Sequence, residues 1–195
     1  MNIIFATSNL NKLKEIENLI PKDINLNNLK DLNFNEEIPE NEKTIEGNAI
    51  YKAKFIHAKF NVNVFADDTG LEVEALNGEP GVYSARYAGK ECNSHKNIEK
   101  LLKNLINNKN RKARFKTIIA LILNGKLYQF EGIVNGLISH SLKGNKGFGY
   151  DPVFVPEGYS KSFAELSLYE KNKISHRSIA VKKLIGFISK QLNWF

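Results

Sequence analysis

The residues best suited to chemistry fall in five short segments of the chain. Thr7-Ser8-Asn9-Leu10-Asn11-Lys12 joins a short apolar run to a stretch with helical spacing. A helix start offers unpartnered N–H groups and a partial positive charge, so such a loop can cradle phosphate, with Lys12 and the Thr7 and Ser8 hydroxyls as further donors. It lacks the Walker pattern, and an Asn-rich helix start with a solvated lysine describes the same residues. Asp67-Asp68-Thr69-Gly70 follows Val62-Asn63-Val64-Phe65-Ala66. Side chains alternate along a strand, so Asp68 shares a face with Val62, Val64 and Ala66 while Asp67 takes the other. One aspartate is therefore expected to face a ligand, where a carboxylate can hold Mg²⁺ or accept a proton from water. An Asx-turn at the strand exit is the competing account.

Three further segments carry weaker signals. In Glu36-Glu37-Ile38-Pro39-Glu40-Asn41-Glu42 one glutamate could join Asp68 on a divalent cation, although a solvated acidic loop has the same composition. Gly147-Phe148-Gly149-Tyr150-Asp151-Pro152 is a defined turn bearing two aromatics, which can stack on a base or anchor the turn to the core. Glu170-Lys171-Asn172-Lys173-Ile174-Ser175-His176-Arg177 offers cations and a ring donor to phosphate or carbonyl groups, or else forms a charged helix start.

These segments need elements to position them. Asn2 to Thr7 reads as a strand, and Asn11 to Ile20 as a helix stopped by Pro21. Thr44 is a fitting N-cap for a helix to about Phe60, and Val62 to Asp67 reads as a buried strand. Thr69 to Gly89, dense in Gly and Pro, suggests a structured binding loop. Asn93 to Leu105 is helical, and Ala113 to Leu123 with Leu127 to Ile138 form a hairpin at Asn124-Gly125. Ser167 and Glu170 fit a capping box, and Ile174 to Leu192 predicts a C-terminal helix. Helices alternating with strands, then a hairpin, give an α/β protein with a mixed sheet.

Bulk composition narrows the class. A chain of 195 residues with 42% hydrophobic content can bury a sizeable core. Its apolar runs fall far short of the ~18 residues a membrane helix needs, and no basic region precedes the first one, so a cytoplasmic protein without a membrane partner is expected. One cysteine and four scattered histidines argue against an internal disulfide and a zinc site. The formal charge of +7 favours an anionic partner, unless it reflects the Asn-, Ile- and Lys-rich composition alone. A nucleic-acid-binding role is not expected, since no recognition motif is present and the Asp67-Asp68 pair would go unexplained.

In this order the five segments resemble the inosine triphosphate pyrophosphatase family, the deaminated-purine nucleoside-triphosphate pyrophosphatases. The match runs from Ile3 to about Leu184, and its most specific pieces are Ala66-Asp67-Asp68-Thr69-Gly70-Leu71, Gly81-Val82-Tyr83-Ser84-Ala85-Arg86-Tyr87-Ala88-Gly89, Gly147 to Phe154, and Glu170 to Arg177. The resemblance implies a single domain over 1–195 with an elongated mixed sheet, flanking helices and two lobes around a nucleotide cleft, usually as a homodimer. It implies Mg²⁺-dependent hydrolysis of ITP, dITP and XTP to the monophosphate and pyrophosphate, which keeps deaminated purines out of DNA and RNA. Thr7, Ser8, Asn9, Leu10, Asn11, Lys12 and Lys52 then take the triphosphate. Asp68 is the catalytic aspartate, as general base or metal ligand, and Thr69 contacts substrate beside it. Glu40 is the second metal ligand, or Glu37 if the alignment takes a gap. Phe148, Gly149, Tyr150 and Asp151 match the base-binding loop, and Lys171, His176 and Arg177 match the remaining nucleotide contacts. Ser8 and Thr69 stand where Gly and Ser are common in the family, and Gly47 replaces a frequent Glu.

Overall fold

The computed structural model describes residues 1–192, so residues 193–195 of the domain expected over 1–195 lie outside the described residues. The strands are β1 (Asn2–Phe5), β2 (Asn25–Asn28), β3 (Val64–Val73), β4 (Pro80–Gly81), β5 (Lys112–Leu123), β6 (Lys126–Ile138) and β7 (Phe154–Pro156). The helices are α1 (Leu10–Glu17), α2 (Ile45–Phe60), α3 (Ser94–Asn104), α4 (Leu168–Ile174) and α5 (His176–Leu192). Hydrogen-bonded neighbours follow the order β2-β1-β3-β5-β6-β7, with β4 on β3. β1 runs parallel to β2 and β3, while β4 is antiparallel to β3 and β7 to β6, which makes this the mixed α/β sheet expected. Among the described residues no helix is long and apolar enough to cross a membrane.

The chain divides into two compact units, and β3, β5 and β6 each contribute to both. The first unit comprises Met1–Asp68, Thr117–Gly132 and the chain from Arg177 onward. Its core joins Ile3, Phe5 and Phe65 to Ile16, Ile119, Leu121, Ala180, Val181, Leu184 and Ile188. Phe5 and Phe65 stack at 4.6 Å across paired strands. The second unit comprises Thr69–Lys116 and Ile133–His176, and packs Leu71, Val73, Leu101, Leu105, Phe115, Phe154 and Phe163 together.

Local signals account for several of these elements. Thr44 caps α2, its hydroxyl accepting from the Gly47 N–H at 2.9 Å. Asn124 and Gly125 take left-handed φ of 50° and 76°, which joins β5 to β6 in the tight turn that Asn-Gly favours. Ser167 and Glu170 form the reciprocal capping box of α4. Three expectations are corrected. β3 does not end at Asp67 but continues to Val73, so the aspartate pair lies inside a strand and not in an exit turn. The stretch from Thr69 to Gly89 accordingly begins as strand before it becomes loop. The expected helix over Ile174 to Leu192 breaks at Ser175, an extended residue that caps α4, and α5 starts at His176.

Candidate active site

The site begins where β1 delivers the chain to α1. Asn9 caps that helix, its side-chain oxygen accepting from the N–H groups of Asn11 (3.0 Å) and Lys12 (3.3 Å), and the Asn9 N–H donates to the Thr7 hydroxyl at 3.2 Å. Ser8, Leu10 and Asn11 are exposed beside it. Lys12, in the first turn of α1, donates from Nζ to Asp67 Oδ1 at 2.9 Å. Arg177, at the start of α5, gives Nε to the other Asp67 oxygen at 3.1 Å and Nη1 to Glu15, a helical turn from Lys12. Asp67, Glu15 and Arg177 are all buried, so two cations and two carboxylates neutralise one another inside the unit.

That arrangement sets their ionisation. Burial alone would raise the Asp67 pKa, but Lys12, Arg177 and Lys52 outweigh it and hold the carboxyl well below the usual range. Burial would lower that of Arg177, but Glu15 and Asp67 reverse this and raise it. At Lys12 burial prevails over Asp67, and the ammonium titrates below an ordinary lysine.

The next residue of β3 faces another set of partners. α2 presents Asn48 and Lys52 one turn apart, which places them on one side of the helix. Asn48 Nδ2 donates to Asp68 Oδ2 at 3.2 Å, and Lys52 Nζ lies 3.7 Å from Asp68 Oδ1 while pairing more closely with Glu40. Burial raises the Asp68 pKa, because its nearest ammonium is at the longer distance and already engaged by Glu40. At Glu40 burial acts upward, yet Lys52 brings the carboxyl below its ordinary value. Burial likewise opposes the charge on Lys52, but Asp68 and Glu40 together raise its pKa. Adjacent aspartates thus differ: Asp67 is a firmly ionised counter-ion and Asp68 a carboxylate with raised proton affinity.

Asp68 and Glu40 meet at a single ammonium, so one cation is already shared between two hard oxygen ligands. This donor set suits Mg²⁺, which binds through one or two carboxylates and completes its shell with phosphate oxygens and water. Among the described residues no group of three or more His, Cys, Asp or Glu side chains could enclose a metal by themselves. Glu37, the alternative ligand, is exposed, whereas Glu40 is the glutamate brought to Lys52.

In the second unit the Gly147–Asp151 loop is held by its own acid. Asp151 Oδ2 accepts from the Phe148 N–H at 2.8 Å and from Lys171 Nζ, whose ammonium also lies 5.0 Å above the Phe148 ring. Gly147 has φ of 71°, and a Cβ there would sit 2.0 Å from Asp151 Oδ2, so the turn requires glycine. Phe148 and Gly149 are half-buried, while Tyr150 is buried and donates its hydroxyl to the Ser84 carbonyl at 3.0 Å. Burial pushes the Tyr150 phenol well above its ordinary range. Tyr150 and Asp151 therefore anchor the loop, and Phe148 is its aromatic with remaining exposure. His176 is buried and stacks on Phe115 at 4.5 Å. Thr69, half-buried, follows Asp68 on β3.

The Gly81–Gly89 run serves as scaffold for that loop. Ser84 Oγ accepts from Leu71 N–H at 2.8 Å and donates to the Gly81 carbonyl. The Asn97 side chain accepts from the Ala88 N–H at 2.7 Å and donates to the Ala85 carbonyl at 2.8 Å. Of the residues expected from sequence, the structure gathers Lys12, Lys52, Glu40, Asp68 and Arg177 in the first unit, and Phe148, Asp151 and Lys171 in the second. Sequence reasoning missed Glu15, Asn48 and the counter-ion role of Asp67. The helical spacings Lys12–Glu15 and Asn48–Lys52 were the available signals.

These features define an α/β protein in which one strand offers two adjacent aspartates of different proton affinity to a half-buried lysine, Lys12, and a buried one, Lys52. The family model described as the Ham1 family matches residues 3–187, and the chain belongs to that family. A dITP/XTP pyrophosphatase of Flavobacterium johnsoniae is 54% identical over 189 residues, 97% of this chain and 98% of that protein. One from Christiangramia forsetii is 53% identical over 190 residues, 97% of this chain and all of that protein. The solved Ham1 protein of Staphylococcus aureus superposes with a TM-score of 0.89 at 38% identity, covering 98% of this chain and 100% of that one.

Proposed function

We infer that this protein hydrolyses deaminated purine nucleoside triphosphates, ITP, dITP and XTP, to the monophosphate and pyrophosphate, and so keeps deaminated purines out of DNA and RNA. The observation that carries the reading is the pair of adjacent aspartates on β3, each tied to a lysine shielded from solvent and differing in proton affinity. The names of relatives about half identical over nearly the whole chain supply the substrate class.

In this reading the triphosphate lies on the Thr7–Lys12 loop, with Lys12 and Lys52 offsetting its charge. Asp68 and Glu40 would hold Mg²⁺, and a cation there would supply positive charge to offset that of the phosphate oxygens. A water oxygen attacks the α-phosphorus, the bond from that phosphorus to the α–β bridging oxygen breaks, and pyrophosphate departs with the electron pair. The Asp68 oxygen that the cation would leave free takes the proton the water gives up. Phe148 stacks on the base. A 6-oxo group only accepts hydrogen bonds, so selection against a 6-amino group requires donors, which Lys171, His176 and Arg177 supply. Selection through Arg177 is coupled to the Asp67–Glu15 network that the same side chain holds. The protein acts in the cytoplasm, as a homodimer.

The test is release of pyrophosphate against orthophosphate from ITP, XTP, dITP, GTP and ATP, with and without Mg²⁺. Metal-dependent pyrophosphate release favouring ITP and XTP is expected. Absence of release from every purine triphosphate would refute the reading.

A further inference from the structure

Asn48 is fully buried, and both ends of its amide are used. Its oxygen accepts from the Glu42 N–H at 3.0 Å, and its nitrogen donates to Asp68 Oδ2 at 3.2 Å. The first bond ties the chain just after Glu40 to the first turn of α2, and the second ties that turn to β3. A second feature shows how closely the acidic segment is drawn in, since a Cβ at Gly47 would meet Glu42 Cβ at 2.8 Å and Thr44 Oγ1 at 3.1 Å. One amide thus joins the segment bearing Glu40 to the strand bearing Asp68, beside the Lys52 ammonium that faces both carboxylates.

We propose that Asn48 is a positioning residue that sets the separation and orientation of Glu40 and Asp68, and so the affinity of the site for its divalent cation. The inference rests on the reading of those two carboxylates as the Mg²⁺ ligands. The amide acts in two ways. Its donor end occupies one lone pair of Asp68 Oδ2, which fixes the carboxylate plane and leaves Oδ1 turned to the Lys52 side. Its acceptor end satisfies the Glu42 N–H, which holds Glu40 within reach of the same ammonium. Groups that orient a metal ligand without touching the metal typically matter by about 10–100-fold in metal affinity.

The experiment compares wild type with Asn48→Leu, which keeps the side-chain volume, and Asn48→Ala, which keeps the helix if leucine is not accommodated. Asn97→Ala, which removes a buried amide with backbone partners only, is the control for lost stability. Three quantities are measured on folded protein: Mn²⁺ binding to the protein alone by electron paramagnetic resonance, the Mg²⁺ concentration for half-maximal ITP hydrolysis, and KM for ITP at saturating Mg²⁺. The expected result is that both Asn48 variants weaken Mn²⁺ binding and raise the Mg²⁺ half-saturation at least about tenfold. KM for ITP moves far less, and Asn97→Ala lowers the melting temperature while leaving both metal constants in place. Metal constants unchanged in a folded Asn48 variant, or shifted equally by Asn97→Ala, would overturn the inference while the site reading stands. A wild-type enzyme that needs no divalent cation, or an Asp68→Asn variant with full turnover, would overturn the site reading and this inference with it.

Discussion

Asp67→Asn and Asp68→Asn, the same change at adjacent positions, are expected to differ sharply in their effect on stability. Asp67 has no exposed side-chain surface and faces Lys12 at 2.9 Å and Arg177 at 3.1 Å. Asparagine there keeps the shape but leaves buried Arg177 with Glu15 alone and takes from half-buried Lys12 the carboxylate it pairs with. Removing one partner from a buried ion pair costs about 3–5 kcal/mol. At about 2–4 °C per kcal/mol for a chain of this size, the melting temperature should fall by roughly 6–20 °C. Asp68 is different, because burial raises its pKa and its nearest ammonium is 3.7 Å away and retained by Glu40. Asp68→Asn should therefore leave the melting temperature unchanged or raise it, while turnover falls by about 10²–10⁴ as expected for loss of a general base. The pH dependence separates the two further. A carboxyl whose folded pKa is depressed contributes stability that is complete above the unfolded value, about 3.9 for Asp, and is lost as pH falls through the folded value. The gap between wild type and Asp67→Asn should thus be constant at neutral pH and narrow only below about pH 4. Thermal melts from pH 3 to pH 8 decide the matter. An Asp67→Asn melting temperature within 2 °C of wild type at neutral pH, or a gap that does not begin to narrow between pH 4 and pH 3, would refute the counter-ion assignment.

Three other outcomes follow from the geometry. Lys52→Met should lower turnover on the order of 10²-fold by removing a preorganised cation, and should let the Glu40 pKa rise, read by titration of the carboxyl in labelled protein. Gly147→Ala places a Cβ against Asp151 and forces a non-glycine residue to φ of 71°, so it should cost about 1–3 kcal/mol in denaturant unfolding and raise KM for ITP. Tyr150→Phe deletes one buried hydrogen bond to the Ser84 carbonyl and should cost about 0.5–1.5 kcal/mol with little change in KM, whereas a large KM effect would make Tyr150 a substrate contact.

What the sequence made legible was what is local. The Thr44 cap, the Asn124-Gly125 turn and the Ser167–Glu170 box act within four residues, and each stands where expected. β2 escaped because Asn-Leu-Asn-Asn has no strand-like composition, and pairing with β1 gives it that conformation. The extension of β3 through Asp67-Asp68-Thr69-Gly70 escaped for a related reason. Asp and Gly are poor strand formers, and the cations that pair with the two aspartates come from elsewhere in the chain. Arg177 lies 110 residues from Asp67 and 162 from Glu15, so no window along the chain connects them. Alternation along the strand sends the two aspartates to different partners, Asp67 to Lys12 and Arg177 and Asp68 to Asn48 and Lys52. Both are buried, however, and the spacing does not mark which one is the counter-ion.

The buried charges also explain why such a site tolerates so much desolvation. Of the two lysines, Lys52 is matched by Glu40 and Asp68 and holds its proton more firmly than usual, whereas Lys12 is undercompensated and holds its proton less firmly. The protein therefore carries, at the start of α1, a cation whose desolvation its own acid only partly offsets. A triphosphate placed against Lys12 supplies the missing charge, so binding should stabilise the fold as well as fill the site, with the melting temperature rising with ligand concentration. The gain should come with a higher Lys12 pKa, so at alkaline pH, where free protein has begun to lose that proton, binding takes up protons from solvent. Calorimetry of pyrophosphate binding in two buffers of different ionisation enthalpy measures that uptake directly. Lys12→Met should abolish the uptake if Lys12 is its source, whereas uptake that persists in the variant would move the undercompensated charge to another group.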